Sequence, residues 1–196
     1  MIYIGIDPGL DGALAVIKDS LAPTFIDTPT LTTKAKGAKA KSHRTMDVAE
    51  IVNILRGIGG SSEVVIALEK VSAAPIEGRV QGTTSMFNFG MGFGMWIGIL
   101  AGLQLPYTLV HPRTWKTQIM RDQGKEKGAS IMRAKQLYPQ AAPCLNLKKH
   151  HGRADALLLA HYAKMNLAGR QDADFGTTED HPVLSKTDEI LRDIPF

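Results

Sequence analysis

Cysteine is almost absent from this sequence, since Cys144 is the only one in 196 residues. A single cysteine excludes an internal disulfide and is typical of a protein kept in a reducing compartment. Long apolar runs are also missing, because the longest candidates, 86–105 and 154–163, are interrupted by glycine or too short to cross a bilayer. Met1 leads straight into a strand pattern, so we expect neither a membrane span nor a signal or transit peptide.

Acidic residues are scarce in the first 170 residues and concentrated in the remainder. The whole chain carries 23 Lys and Arg against 19 Asp and Glu, a net charge of +4. Residues 171–196 hold seven acids and two bases, a balance of −5, which leaves +9 on the first 170 residues. We therefore interpret residues 1–169 as one domain and residues 170–196 as an acidic tail. The basic body favours a polyanionic partner, nucleic acid first, although basic composition alone is common.

Apolar periodicity predicts an α/β domain. Alternating or continuous apolar runs predict strands, and apolar spacings of three to four residues predict helices. An opening meander of three strands leads into alternating helices and strands, which implies a mixed sheet flanked by helices. Strands are expected at 1–7, 12–18, 23–28, 62–71 and 107–110, and helices at 46–60, 83–105, 111–120, 124–139 and 150–169.

The helix expected at 83–105 carries glycine at positions 90, 92, 94, 98 and 102. Each glycine costs a helix up to about 1 kcal/mol relative to alanine, which indicates a close backbone approach on one face. A tightly packed core helix is favoured over a binding face. The same helix could supply a base-stacking wedge, although core or dimer contacts are the commoner use of its aromatic residues Phe87, Phe89, Phe93 and Trp96.

Residues 30–44 form a basic stretch without apolar periodicity, "TLTTKAKGAKAKSHR". It holds five cations and no acid, which is typical of flexible segments that bind phosphate by releasing counterions. A solvated linker is the alternative. We favour phosphate contact for this stretch.

Three carboxylates lie at the ends of apolar elements. Asp7 ends the first strand ahead of a Pro-Gly turn, Glu69 ends the fourth strand, and Asp155 opens the last helix. His151 precedes Asp155 by four residues, so both lie on one helical face. Each residue alone has a simpler explanation: a turn cap for Asp7, a favourable acid at a helix N-terminus for Asp155, a surface histidine for His151. Together, on a basic body, they favour a shared Mg²⁺ or Mn²⁺ site.

Four stretches occur in order along residues 1–169: "GIDPGLDGALAV", "ALEKV", "GFGMWIGIL" and "HHGRADALLLAHYA". They resemble the RuvC-type Holliday-junction resolvases of the RNase H-like superfamily, most closely the branch with the chloroplast resolvases and related phage and bacterial proteins. The resemblance implies an RNase H-like fold, which is α/β with a mixed five-stranded sheet flanked by helices. It also implies four metal-site positions, matched here by Asp7, Glu69, Asp155 and, where an acid is commoner, His151.

The same resemblance implies a function. A homodimer would bind a four-way DNA junction and nick two opposed strands, in the cytoplasm of a bacterial or phage-infected cell. Two Mg²⁺ or Mn²⁺ ions per site would assist, with Asp7 bridging them, Glu69 on one and Asp155 with His151 on the other. His151 is either a metal ligand or a group that activates water or steadies the phosphate.

Cations away from the acids are expected to bind the DNA backbone. The candidates are Lys34, Lys36, Lys39, Lys41, Arg44, Arg113, Lys116, Lys125, Lys127 and Arg153.

Three other functions are compatible with parts of the pattern. An RNase H-like nuclease acting on hybrids, flaps or duplex would use the same acids. An actin-like ATPase also opens with a strand, a turn and a strand, but usually needs a chain about twice as long. A junction-binding protein that does not cleave is disfavoured by the complete set of Asp7, Glu69 and Asp155.

Overall fold

A computed structural model describes residues 1–18, 21–34, 42–58, 63–71, 82–122 and 128–168. The strands are β1 (Ile2–Ile6), β2 (Ala13–Lys18), β3 (Thr24–Asp27), β4 (Thr30–Lys34), β5 (Ser42–Met46), β6 (Val64–Glu69) and β7 (Tyr107–Val110). The helices are α1 (Val48–Ile58), α2 (Thr83–Gly102), α3 (Pro112–Ile119), α4 (Ala129–Leu137) and α5 (His151–Asn166). Two short 3-10 segments, Pro139–Leu145 and Lys148–His150, precede α5.

Five strands form the central sheet in the order β3-β2-β1-β6-β7. β2 pairs antiparallel with both β1 and β3, whereas β1, β6 and β7 run parallel. Helices pack on both faces of this sheet. The expected mixed five-stranded sheet, flanked by helices, is thereby confirmed.

Side-chain alternation along β1 builds a separate core on each face of the sheet. Ile2, Ile4 and Ile6 pack with α1 and α2, and we call this side the α2 face. Tyr3 packs with α3, α4 and α5, and we call this side the α5 face.

Gly5 allows α5 to lie directly on β1. A Cβ at Gly5 would collide with backbone atoms of Ala156 and Ala160 in α5. Such a close approach is a reason to find glycine inside a buried strand. It brings the first turn of α5, with His151 and Asp155, to the loop that follows β1.

The basic stretch at 30–44 contains regular structure that its composition did not predict. β4 and β5 pair antiparallel as a separate two-stranded sheet, with Thr30 opposite Met46 and Lys34 opposite Ser42. The expectation of a flexible segment is therefore wrong at these two strands. Three of the five β4 residues are threonine, and the branched Cβ of threonine favours extended backbone. Residues 35–41 between the strands lie outside the described residues.

Among the described residues, nothing packs against four of the five glycines of the glycine-rich helix, contrary to the expectation of tight packing, and Gly92, beside Met46, is the exception. In α2 only Trp96, Ile99 and Leu100 are buried. A Cβ added at Gly90, Gly94, Gly98 or Gly102 would meet nothing within 4 Å among the described residues. These glycines are spaced by four, so they share one face of the helix.

Other sequence expectations have mixed outcomes. Trp96 is fully buried and belongs to the core of the α2 face, so it cannot act as a wedge. The division at residue 170 stays a prediction, because residues 169–196 lie outside the described part of the chain. None of the described helices combines the length and the apolar character needed to cross a membrane.

Candidate active site

Two of the predicted acids are neighbours because their strands are. β1 and β6 pair in parallel with Ile6 opposite Leu68, so Asp7 and Glu69 follow at the same edge of the sheet. Side chains two residues apart in a strand point to the same face. Asp7 lies two residues after Gly5, which contacts α5. Glu69 lies two residues after Ala67, which packs in the core of the α5 face. Both carboxylates are therefore directed to the α5 face.

Asp7 has two different surroundings at its two carboxylate oxygens. Its Oδ1 accepts a hydrogen bond from the backbone N–H of Gly9 at 3.3 Å, which is the turn cap considered from the sequence. Its Oδ2 lies against Gly152 in the first turn of α5, where an added Cβ would come within 3.2 Å of it. The same Cβ would collide with the carbonyl of Asp11. Glycine at position 152 thus leaves the room that Asp7 needs.

Asp155 joins the two strand-end acids from α5. Its Oδ1 is buried and has no hydrogen-bond partner among the described residues. An unpaired buried polar atom costs about 1–3 kcal/mol, and more when the group is charged. Such a cost makes this oxygen a candidate for binding a group that the described residues do not supply.

The three carboxylates interact electrostatically. Burial is the main cause that raises the pKa of Asp7 from its ordinary 3.8 to about 7, and the charges of Glu69 and then Asp155 add to the rise. Burial also raises the pKa of Glu69, with a further contribution from Asp155. The charge of Lys116 acts in the opposite direction on both Asp7 and Glu69. Lys116 is therefore a cation whose charge lowers the pKa of two of the three acids.

The donor chemistry of this group fits a divalent cation. Carboxylate oxygens are the ligands that Mg²⁺ prefers, and a cation would relieve both the repulsion and the unpaired oxygen of Asp155. As placed, however, the described residues do not form a group of three or more His, Cys, Asp or Glu side chains that could hold a metal ion. Mg²⁺ is usually held by only one or two carboxylates, with water as its other ligands, so a pair of these acids is enough for one ion.

A cleft of about 660 Å³ opens beside Asp7. The loop 7–12 forms one wall, the α2 residues Ser85, Asn88 and Phe89 contribute to another, and His151 completes the lining. The structure thus brings His151 to the same cleft as Asp7, on an exposed position at the start of α5. Glu69 and Asp155 are not part of this lining.

Trp115 is a site residue that the sequence reasoning missed. Its indole Nε1 donates a hydrogen bond to Glu69 Oε1 at 3.1 Å. Its ring also lies under the ammonium of Lys116, 5.0 Å from Nζ to the ring centroid. No spacing rule links residues 46 positions apart, so only the packing of α3 beside β6 could show this contact.

Two of the predicted DNA-binding arginines have protein partners. Arg44 donates from Nη1 to Asp11 Oδ1 and from Nη2 to the carbonyl oxygen of Leu10, both at 2.8 Å. Arg153 forms two hydrogen bonds of 2.6 Å to the carboxylate of Asp27. The structure therefore gives each a structural role: Arg44 ties β5 to the loop after β1, and Arg153 ties α5 to β3.

The structure describes only some of the remaining DNA-binding candidates. Arg113 and Lys116 are exposed on α3. Lys34 is the last residue of β4, and the structure describes its backbone but not its side chain. Lys36, Lys39, Lys41, Lys125 and Lys127 lie outside the described residues altogether.

Comparison with known proteins bears on the resemblance noted in the motifs. No protein-family model matches the chain. Over 89 residues, the chain is 38% identical to "Holliday junction resolvase MOC1, chloroplastic" of Chlamydomonas reinhardtii. The chain resembles a Holliday junction resolvase. The resemblance expected from the four motifs is thereby confirmed. The matched segment is 45% of this chain and spans only 10% of the length of that relative.

Two solved structures match the chain with TM-scores below 0.5. One is Thermus thermophilus RuvC in complex with a Holliday junction substrate, with a TM-score of 0.47 and 15% identity over 85% of this chain and 97% of that one. The other is a Thermus thermophilus RuvC structure, with a TM-score of 0.45 and 16% identity over 84% of this chain and 96% of that one.

Proposed function

We propose that this protein is a metal-dependent endonuclease that resolves four-way DNA junctions by paired nicks. The observation that carries the proposal is the meeting of Asp7, Glu69 and Asp155 from three separate elements, where their charges repel and one buried oxygen has no partner among the described residues. Acids held together at such a cost suit a site that uses cations. The likeness to a Holliday junction resolvase supports the choice of substrate.

Two Mg²⁺ or Mn²⁺ ions per site would lower the pKa of the attacking water and neutralise the charge that develops on the phosphodiester. Asp7, Glu69 and Asp155 would hold these ions through their oxygens. His151, which lines the cleft with Asp7, would either contribute a nitrogen ligand or exchange a proton near the phosphate. Asp7 is the acid among them whose pKa the charges of the other two both raise, so a cation would relieve the repulsion there.

Lys116 would bind the phosphate that is cut. It is exposed, and its charge lowers the pKa of both Asp7 and Glu69, so a phosphate oxygen held by its ammonium would sit beside the acids. Arg113 lies three residues earlier on α3 and would contact a neighbouring phosphate. Fixing the phosphate in this way orients the phosphodiester for in-line attack.

A homodimer would place one such site on each of two opposed strands, since a four-way junction has approximate two-fold symmetry. The glycine face of α2 supports this proposal, because Gly94 and Gly98 leave their helix backbone open to a close neighbour. Exposed apolar residues lie three and seven positions before Gly94 on the same helix: Met91 at 37% and Phe87 at 69% exposure. An apolar exposed face is typical of a protein interface.

We also propose the cytoplasm as the site of action, as expected from the sequence. The curated relative is chloroplastic by its name. Imaging of a fluorescent fusion of the full chain in its own host would decide between the two locations.

Cleavage of a substrate panel tests the function. Synthetic four-way junction, flap, duplex and RNA–DNA hybrid, each labelled on every strand in turn, are incubated with Mg²⁺ or Mn²⁺. We expect ligatable nicks in two opposed strands of the junction and at most slow cleavage of the other substrates. Asp7→Asn, Glu69→Gln and Asp155→Asn should each lower the rate by at least about 100-fold while junction binding survives. Glu50→Gln on the exposed surface of α1 serves as the control acid and should cleave like the wild type.

Two results would contradict the proposal. Preferential cleavage of hybrids, flaps or duplex would assign the same residues to another RNase H-like nuclease. Tight junction binding without cleavage in either metal would assign the chain to a junction-binding protein.

A further inference from the structure

We propose that Trp115 is a positioning residue that fixes the carboxylate of Glu69 through its indole N–H. The hydrogen bond from Trp115 Nε1 to Glu69 Oε1 is 3.1 Å long and joins α3 to the last residue of β6. The inference rests on the proposed function for the role of Glu69, but the contact itself does not depend on the substrate.

Trp115 is well suited to hold another side chain in place. Its side chain is fully buried, at 0% exposure, in the core of the α5 face. A buried indole has little freedom to rotate, and its N–H can only donate. Glu69 is partly exposed and has three side-chain torsions, so it would otherwise sample several rotamers. The rigid donor therefore selects one orientation of a flexible acceptor.

The neighbouring Lys116 adds charge to the same arrangement. Its ammonium lies 5.0 Å from the centroid of the Trp115 ring, within the range of a cation–π contact. Its charge lowers the pKa of Glu69, and the hydrogen bond from Trp115 lowers it as well. Burial raises the pKa of Glu69 overall, and two consecutive residues of α3 oppose that rise, one through a hydrogen bond and the other through its charge.

The second tryptophan shows that burial alone does not require this bond. Trp96 is also at 0% exposure, on the opposite face of the sheet, and its Nε1 has no hydrogen-bond partner among the described residues. Trp96→Phe and Trp115→Phe therefore remove the same atoms from two equally buried sites. They differ in whether the substitution also removes a hydrogen bond to an acid.

The matched pair of variants is the test. Mutation of a residue that hydrogen-bonds to a metal-ligating side chain typically lowers metal affinity or activity by roughly 10- to 100-fold. In Trp115→Phe we expect the junction cleavage rate to fall by about that factor and the Mn²⁺ concentration for half-maximal rate to rise, with junction affinity unchanged. Calorimetric titration with MnCl₂ alone, without DNA, should show weaker binding of the same order. Trp96→Phe should change none of these, although both variants lose thermal stability.

The hydrogen bond can also be observed without a Trp115 variant. The sequence holds two tryptophans, so an ¹⁵N-labelled protein gives two indole N–H resonances. Glu69→Ala removes the acceptor and should shift the Trp115 resonance while that of Trp96 stays in place. This measurement decides the question if Trp115→Phe fails to fold.

The outcomes separate the positioning role from the function. Equal cleavage rates and equal Mn²⁺ affinities in the two Phe variants would overturn the positioning role, and so would an unshifted Trp115 resonance in Glu69→Ala. If the wild type cleaves no junction but Trp115→Phe still weakens Mn²⁺ binding, the positioning role stands and the proposed function falls.

Discussion

Asp7 is the residue on which most of the site depends. It is held between a turn that it caps through Oδ1 and a helix that approaches its Oδ2 at Gly152. Its position leaves the carboxylate buried beside two other acids, which raises its pKa to about 7. A carboxylate that is buried beside other acids reduces the stability of the fold, and proteins tolerate this most often at functional sites.

Asp7→Asn should therefore stabilise the protein at neutral and alkaline pH when no metal is present. Between the ordinary pKa of 3.8 and the folded value of about 7, the folded state holds a proton that the unfolded state releases. Stability then falls as pH rises through this window, and the deficit is complete above pH 7. After allowance for solvent screening we expect the variant to gain about 1–3 kcal/mol at pH 8, and less at pH 5.

Urea unfolding in EDTA at the two pH values measures this difference. Asn keeps an oxygen that can accept the N–H of Gly9, so the turn cap is retained. Adding Mn²⁺ should then stabilise the wild type more than the variant. A wild type that is more stable than Asp7→Asn at pH 8 in EDTA would show that the carboxylate is already compensated within the protein.

His151 gives a second prediction at this scale, because its imidazole lines the cleft with Asp7. As a metal ligand it should make the wild type favour Mn²⁺, since imidazole suits transition metals, and His151→Asp should stay active with a shift toward Mg²⁺. As a proton-transfer group it should shape the rate between pH 5.5 and 8.5, and His151→Asp should lose rate with either ion. We expect the ligand outcome.

The measurement is the cleavage rate of wild type, His151→Asp and His151→Ala with each metal across that pH range. His150 is the matched control, because it is buried and its Nδ1 accepts from the backbone N–H of Leu147 instead of facing the cleft. A His151→Ala variant with nearly wild-type rates would show that His151 is a surface residue without a role in cleavage.

Among the elements, the β4–β5 pair is the one that we propose links DNA binding to the site. Its Arg44 is anchored to Asp11 and to the carbonyl of Leu10, in the loop that begins with Asp7. This ion pair is exposed, and such pairs contribute about 1 kcal/mol at most to stability. Arg44 therefore holds the loop in position, and we propose that the lysines of the same segment, Lys34, Lys36, Lys39 and Lys41, contact phosphate.

Salt dependence of junction binding distinguishes these two roles. Replacing Lys34, Lys36, Lys39 and Lys41 by Gln should weaken binding and flatten the plot of log affinity against log salt, by about 0.9 for each phosphate that is no longer neutralised. Arg44→Gln should leave that slope nearly unchanged but slow cleavage, and Asp11→Asn should act in the same way. The double variant should then cost less than the sum of the two. A slope that falls with Arg44→Gln would make Arg44 a phosphate contact instead.

At the scale of the whole molecule, the open glycine face of α2 predicts a dimer that one large side chain can break. Gly98→Leu should give a monomer in analytical ultracentrifugation at micromolar concentration, with or without junction DNA. Leucine is a better helix former than glycine by nearly 1 kcal/mol, and a Cβ at Gly98 meets no described atom, so the subunit itself should stay folded. Gly57→Leu in α1, where a Cβ is equally free, is the control and should remain dimeric. A monomeric wild type would contradict the prediction.

Local pattern in the sequence was sufficient for the sheet and for the acids. Alternation placed Asp7 and Glu69 at strand ends, and the i, i+4 spacing placed His151 and Asp155 on one helix, because these relations depend on backbone periodicity alone. The same reasoning failed for α2 and for residues 30–44. A glycine's neighbour and a strand's partner are contacts between distant segments, which composition does not encode.

By itself, therefore, the sequence determined the α/β class, the order of the helices and of the strands in the central sheet, and the identity of the candidate ligands. Only the tertiary structure decided which side chains are partners. The register of β1 against β6 made Asp7 and Glu69 neighbours, and the close packing at Gly5 brought α5 to them. The bond from Trp115 to Glu69 and the anchoring of Arg44 on Asp11 join residues 46 and 33 positions apart. Such contacts depend on the packing of the whole fold, since no local periodicity relates residues so far apart along the chain.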